Sequence, residues 1–166
     1  MTKIIKQRQI VEDNATLIKL NDDGSFADLP AHGVVIVPLK QWQAQREALI
    51  ARGDVGIWLA SDEEAEALET DLPHFALIAL DFPAFTDGRS YSNARLLRDR
   101  YAYKGELRAI GDVFKDVILF MKRCGFDAFV VKADKDINEA FKGLDDFSEF
   151  YQGATDEPLP LFRRRA

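Results

Sequence analysis

The sequence predicts an α/β fold with about five mostly parallel strands that alternate with helices, in an open or half-barrel-like sheet. Two observations lead to this prediction. Apolar runs rich in β-branched residues recur along the chain after residue 32, and segments with helical periodicity separate them. Repeated strand–helix–strand units form parallel sheets through right-handed crossovers, and near-continuous apolar strands are typical of sheets buried on both faces. Five strands are too few to close an eight-stranded barrel.

The five predicted strands cover residues 33–39, 55–60, 75–82, 106–111 and 126–132. Between them lie four helical segments: QWQAQREALIAR, a segment that begins at SDEE, SNARLLRDRYAY and DVFKDVILFMKRCG. Ser61 and Glu64 have the spacing of a capping box, which predicts the start of the second helix. An apolar stripe is predicted on the fourth helix from Val113, Val117, Phe120 and Cys124.

The chain of 166 residues is expected to form one domain, 1–166, with three parts. Residues 1–30 are predicted to form an N-terminal β-hairpin or arm, because two short β-like runs flank the turn residues Asp13 and Asn14. Residues 33–132 form the βα core. Residues 133–166 are predicted to contain short helices and a tail.

Composition indicates which partners are disfavoured and which cellular compartment suits the chain. The formal net charge of −6 disfavours nucleic acid and anionic membranes as partners. The single cysteine, Cys124, excludes an internal disulfide and suits a reducing cytoplasm. No apolar run reaches the roughly 20 residues of a membrane helix. The two histidines are far apart in sequence, so no metal site is predicted.

Some bulky side chains are expected to be buried. Trp42 and Trp58 are predicted to be core residues, and Cys124 a buried, inert thiol. Arg108 lies within a predicted central strand, where an arginine needs a partner. It is therefore expected to point into a barrel-like interior or to lie at a sheet edge.

One loop has the polar pattern that predicts a binding site. The stretch FTDGRSYSNARLLRDRY follows the third predicted strand, and parallel sheets bind ligands outside the carboxyl ends of their strands. Ser90 or Ser92 is expected to cap the helix after the turn. Its free N–H groups and Arg89 are suited to phosphate, sulfate, sulfite or carboxylate. The alternative is that the loop only caps and solubilises a helix start. The predicted ligand-binding residues are Thr86, Asp87, Gly88, Arg89, Ser90, Tyr91, Ser92 and Arg95.

Asp81 and Asp112 are the candidate catalytic residues. Together with Asp87 they lie at or after strand ends, where carboxylates can share a crevice and act as acid–base groups or as ligands of a hard metal ion. The alternative is that these aspartates form turns and caps. The sequence has no phosphate-loop or dinucleotide glycine motif and no cysteine set for an iron–sulfur cluster, so the cofactor is left unknown.

The stretch DFPAFTDGRSYSNARLLRDRY, followed by KGELRAIGDVFKDVILFMKRCGFDAF, resembles a bacterial domain-of-unknown-function family, number 934. The resemblance is clearest over residues 80–131 and weaker near GVVIVPL, FSEFYQ and PLFRRR. Members are often described as oxidoreductases of sulfite reduction, and they accompany a sulfite reductase and an adenylylsulfate-type reductase. The family has no established catalytic residues, so the resemblance implies a metabolic setting and assigns no site.

The family resemblance implies an accessory protein or oxidoreductase of assimilatory sulfate and sulfite reduction. It would bind a small anion or anionic cofactor at the loops after the strands, in the cytoplasm; whether it is an enzyme is left open. The alternative is a non-catalytic module that docks on sulfite reductase or its electron donor through Arg95, Arg98 and Arg100. A flavin- or nicotinamide-dependent reductase with an atypical site is a third interpretation. A short sheet edge is suited to a homodimer.

Overall fold

The computed structural model describes residues 2–164, and its strands form one curled, half-barrel-like sheet. The strands are β1 (Lys3–Lys6), β2 (Gln9–Glu12), β3 (Ala15–Leu17), β4 (Val34–Pro38), β5 (Val55–Leu59), β6 (Leu77–Phe82), β7 (Glu106–Gly111) and β8 (Ala128–Phe129). Their order across the sheet is β2-β1-β8-β7-β6-β5-β4-β3. Neighbours from β3 to β8 are parallel, whereas β1 pairs antiparallel with both β8 and β2. The predicted α/β class and half-barrel-like parallel sheet are confirmed, with eight described strands rather than five.

Helices cover one face of this sheet. They are α1 (Leu39–Arg52), α2 (Arg89–Arg95), α3 (Lys115–Arg123), α4 (Ile137–Gly143) and α5 (Leu161–Arg164). A π-helical turn, Leu96–Arg100, extends α2. The main core lies between this face and the helices, where strand residues such as Ile57, Leu80 and Ala109 pack with helix residues such as Trp42 and Ile118. Helices α1, α2 and α3 connect β4 to β5, β6 to β7 and β7 to β8, and the strand order follows the chain, so these crossovers turn in the same direction around the sheet.

The other face of the sheet is its concave interior. Residues that alternate with the core-facing ones point here, as expected for a strand period of two. Ile36, Leu77, Ala79 and Ile110 form a second apolar cluster that contains no helix residue. Polar side chains share this interior with them, so the inner face is not a simple hydrophobic core.

The two edges of the sheet approach each other. Strand β2 lies at one edge and β3 at the other, yet only Asp13 and Asn14 separate Glu12 from Ala15. Three peptide units reach at most about 11 Å. The sheet must therefore curl until its edges nearly meet, which encloses the interior that the sequence alone leaves open.

The structure corrects several predicted elements. The N-terminal hairpin is present, but its turn lies at Gln7 and Arg8, which have positive φ angles of 47° and 61°. The segment predicted as a helix from Ser61 instead contains two short 3₁₀ turns, Ala65–Leu68 and Leu72–His74. The predicted stripe on the fourth helix is wrong at Phe120, which is 58% exposed. The reason is that the buried side of α3 is centred on Val117, Ile118 and Met121, and Phe120 lies at the margin of that side.

Candidate ligand-binding cavity

A cavity of about 390 Å³ opens at the carboxyl-end mouth of the curled sheet. Its volume falls within the range of small-molecule pockets. Parallel sheets and barrels bind their ligands at this end, because the loops that follow the strands surround it. The residues around the cavity are Thr2, Asp13, Ala15, Leu17, Lys19, Ile36, Trp58, Asp81, Arg108, Ile110, Gly111 and Val130.

The upper part of the cavity combines an aromatic wall with two opposite charges. Trp58 is half-buried and donates its indole N–H to the Ile18 carbonyl at 2.8 Å, which fixes the ring beside the segment that follows β3. Lys19 is the next residue, and its charge acts on Asp81 across the cavity. Neither Lys19 nor Asp81 has an ion-pair partner among residues 2–164. Both charges therefore remain available to a ligand.

Asp81 occupies the penultimate position of β6 and faces the cavity. Burial raises the pKa of its carboxyl, and the nearby Lys19 ammonium partly opposes that rise. The strand end is held from the other side, where the Ser90 hydroxyl donates to the Asp81 carbonyl at 2.6 Å. A carboxyl with a raised pKa can accept or donate a proton closer to neutral pH than an ordinary aspartate.

Gly111 leaves room for the Asp81 carboxylate. Its φ is +90°, and a Cβ at this position would lie 2.3 Å from the Phe82 carbonyl oxygen and 2.7 Å from Asp81 Oδ1. The final residues of β6 and β7 approach each other so closely that only glycine fits. The absence of a side chain at Gly111 therefore leaves the mouth of the cavity open beside Asp81.

A buried ion network forms the floor of the cavity. Arg108 is 3% exposed and donates from Nη1 to both carboxylate oxygens of Asp13, at 3.0 and 2.9 Å. Its Nε donates to Glu106 Oε1 at 2.6 Å, and Lys6 pairs with the other Glu106 oxygen at 2.6 Å. Two cations thus balance two carboxylates, as a buried charge requires. The expectation that Arg108 has a partner inside a barrel-like sheet is confirmed.

In the predicted loop site, the two charged residues Asp87 and Arg89 are bonded to each other. Arg89 donates to Asp87 from Nε at 3.0 Å and from Nη2 at 2.7 Å, and Nη2 also donates to Ser61 Oγ at 3.0 Å. The Arg89 hydrogen bonds lower the pKa of the Asp87 carboxyl well below its usual range. Gly88 occupies the N-cap position of α2 and no side chain caps the helix, so the expected cap at Ser90 or Ser92 is wrong.

The other predicted binding residues face different surroundings. Ser90 is buried against β6, and Tyr91 packs between Phe82 and Phe120 with ring centroids 4.8 Å from each. Thr86 and Ser92 are exposed. Arg95 pairs with Asp99 at 3.6 Å. The structure places these residues along one loop and helix, and their role in ligand binding stays a prediction.

Asp112, the second catalytic candidate, lies apart from the cavity lining. It accepts a hydrogen bond from Lys132 Nζ at 2.8 Å, which lowers the pKa of its carboxyl. Of the two candidates, Asp81 alone lines the cavity. Among residues 2–164, no group of three or more histidine, cysteine or acidic side chains is arranged to hold a metal ion.

Lys19 and Trp58 are the cavity residues that sequence reasoning missed. Lys19 follows a three-residue edge strand, and its place opposite Asp81 depends on the curling of the sheet. Trp58 was assignable to the inner face from strand alternation, because it lies one position from the core residues Ile57 and Leu59. Within the described residues no helix is long and apolar enough to cross a membrane.

The helices on one face of a curled parallel sheet define a half-barrel-like α/β protein. Its mouth cavity lies at the position where parallel folds typically bind ligands. More particularly, the chain belongs to the family described as "Bacterial protein of unknown function" (DUF934), whose model matches residues 56–162. The match includes Trp58, Asp81 and Gly111 in the cavity. No curated protein matches the chain.

Proposed function

We propose that the protein binds an organic anion in the mouth cavity and acts as an accessory protein of sulfite reduction, the setting that the family resemblance implies. One observation carries the binding proposal. A cavity of about 390 Å³ contains, besides apolar side chains and the mutually paired Arg108 and Asp13, one lysine and one carboxyl that have no ion-pair partner within the described chain. Ligand sites commonly consist of an apolar concavity with a small number of placed polar groups.

The lining specifies the chemistry of the ligand. Lys19 is suited to an anionic group, and the carboxyl of Asp81 to a hydrogen-bond donor. Trp58, Ile36 and Ile110 offer an apolar surface that suits a planar or aliphatic body. A bare sulfite or sulfate ion would leave that surface uncovered and most of the volume unfilled. The geometry therefore favours an organic anion, such as a sulfated or phosphorylated nucleoside, over the free oxyanion.

Asp81 is the residue in the cavity best suited to proton transfer. It faces the ligand space, its pKa is raised by burial, and the pairing that lowers the pKa of Asp112 is absent there. An oxidoreductase activity would in addition require a bound redox cofactor. A visible absorption spectrum of the freshly purified protein tests for a flavin, because a bound flavin is coloured.

Binding can be measured through the fluorescence of Trp58. The chain has two tryptophans, and Trp42 is buried in the core at the far side of the sheet. A Trp42→Phe background therefore leaves Trp58 as the only tryptophan. Titration with adenylylsulfate, adenosine monophosphate, sulfate and sulfite is expected to change the emission for the organic anions and to leave it nearly unchanged for the free oxyanions.

Two substitutions separate the cavity from the predicted loop site. Lys19→Gln is expected to weaken binding about tenfold, the effect of losing about 1.4 kcal/mol. The matched control Lys104→Gln removes an exposed lysine far from the cavity and should change nothing. If Arg89→Ala abolishes binding and Lys19→Gln does not, the site is the loop. Absence of binding by every anion in the panel would contradict the proposal.

A further inference from the structure

An exposed aromatic groove lies along the outer side of α3, on the opposite side of the main core from the cavity. Phe120, Phe147, Phe150 and Tyr151 line it, and its volume is about 660 Å³. Phe120 is 58% exposed, Phe147 64% and Tyr151 71%. With about 200 Å² for each aromatic side chain, these three rings expose roughly 400 Å². An apolar patch of this size commonly marks a contact surface.

The charges of the aromatic groove differ between its two ends. Asp116, in the first turn of α3, is exposed and has no ion-pair partner in the described chain. Arg123 lies seven residues later, about 10 Å along the helix. It donates to the Gln152 carbonyl at 2.7 Å, lies 3.9 Å above the Phe150 ring and approaches Asp156 at 3.5 Å. Its Nη1 is buried without a hydrogen-bond partner among residues 2–164.

A second arginine reinforces the cationic end. Tyr91 of α2 packs against Phe120 of α3, so the two helices lie side by side. One turn further along α2, Arg95 lines the aromatic groove, and its charge acts on the thiol of Cys124 next to Arg123. Arg95 is exposed, and among residues 2–164 its ion-pair partner is Asp99 at 3.6 Å. The aromatic groove therefore has a carboxylate at one end, aromatic rings in the middle and guanidinium groups at the other end.

We propose that a second copy of this chain covers the aromatic groove and forms a two-fold symmetric homodimer. In a two-fold interface the same patch meets itself in reversed direction, so it must be self-complementary. Reversal places Asp116 against the partner's Arg95 and the aromatic rings against each other. A stable interface buries about 800 Å² on each partner, and the exposed rings alone supply about half of that area.

This arrangement uses the aromatic groove rather than the edge of the sheet. Strands β2 and β3 are joined by two residues, which leaves little room for an added strand between the edges. The arginine-rich helix, α2 with its π-helical extension, is only partly available for contact with another protein. Arg98 donates to the carbonyls of Gly125, Tyr103 and Gly105 within its own chain. The homodimer is independent of ligand binding in the mouth cavity.

Charge reversal tests the proposed symmetry with the full chain. Sedimentation velocity is expected to show a dimer for the wild type, and Asp116→Arg or Arg95→Glu alone should each raise the dimer dissociation constant at least about tenfold, since each introduces two like-charge contacts per dimer. An equimolar mixture of the two variants should recover dimers, because in the mixed dimer both contacts again join opposite charges.

Asp54→Arg is the matched control, because Asp54 is exposed before β5 and lies outside the aromatic groove. It should leave the dimer unchanged, and circular dichroism should confirm that all variants keep the fold. A wild type that stays monomeric at high concentration overturns the proposal. A dimer whose dissociation constant is unchanged by both charge reversals also overturns it. The same holds if the mixture of the two variants stays monomeric.

Discussion

Replacement of Gly111 by alanine tests the close approach of β6 and β7 beside the cavity. An alanine at φ near +90° carries a backbone strain of about 1–2 kcal/mol. Its Cβ would also lie 2.3 Å from the Phe82 carbonyl oxygen, which accepts the Asp112 N–H at 2.7 Å. Movement that relieves this contact weakens that hydrogen bond, at a further cost of about 0.5–1.5 kcal/mol. The total expected loss is about 1.5–3.5 kcal/mol.

Gly33→Ala provides the matched control. Gly33 has nearly the same φ, +91°, but no atom lies within 4 Å of the position of an added Cβ. Urea denaturation of both variants should therefore show a loss of about 1–2 kcal/mol for Gly33→Ala and a clearly larger loss for Gly111→Ala. Removing the Asp81 side chain in the Gly111→Ala background should recover only part of the difference, since the closer contact is with backbone. Equal losses for the two glycine variants would refute the close approach.

Three further predictions concern charged side chains. Asp13→Ala should lower the free energy of unfolding by about 3 kcal/mol in urea denaturation, because it leaves the buried Arg108 guanidinium with one carboxylate instead of two. Asp71 accepts two hydrogen bonds from Arg46, which lower the pKa of its carboxyl. This stabilisation is present above pH about 3.9 and is lost as pH falls through the lower folded-state pKa, so the loss from Asp71→Asn in thermal denaturation should shrink in acid. The pKa of Asp81 is raised, so stability should fall as pH rises from about 3.9 through the folded-state pKa. Asp81→Asn should then melt at a higher temperature than the wild type at pH 7, with a difference that diminishes towards pH 4.

The parallel core of the fold was predictable because its signals are local. Strands β4 to β7 are apolar runs bounded by turn residues, and α1 ends before Gly53 as its pattern predicts. The short N-terminal strands were harder to place, since three or four residues carry little periodicity. Gln7 and Arg8 adopt positive φ without the asparagine or glycine that usually signals such a hairpin turn.

The candidate site was predictable only in part. Asp81 was identifiable as a polar residue at the end of an apolar strand, and Arg108 as a charge that needs a partner. Their companions Lys19 and Asp13 come from a segment more than sixty residues away, and only the curled sheet brings them together. The Asp87–Arg89 pair was not predictable for a different reason. Composition identifies a charged loop, but it does not reveal that Asp87 and Arg89 pair with each other.

The pairing of β1 with β8 has a consequence for the order in which the protein acquires its structure. Ile5 pairs with Phe129, so β1 has its partner more than a hundred residues further along the chain. Strands β4 to β7 pair with their neighbours in sequence, so their contacts close much shorter loops than the pairing of β1 with β8 does. Closing so long a loop is a slow step compared with local contacts. We therefore expect the Arg108–Asp13 pair, which bridges β7 and the N-terminal segment, to form late in folding, and the lining of the mouth cavity to be completed with it.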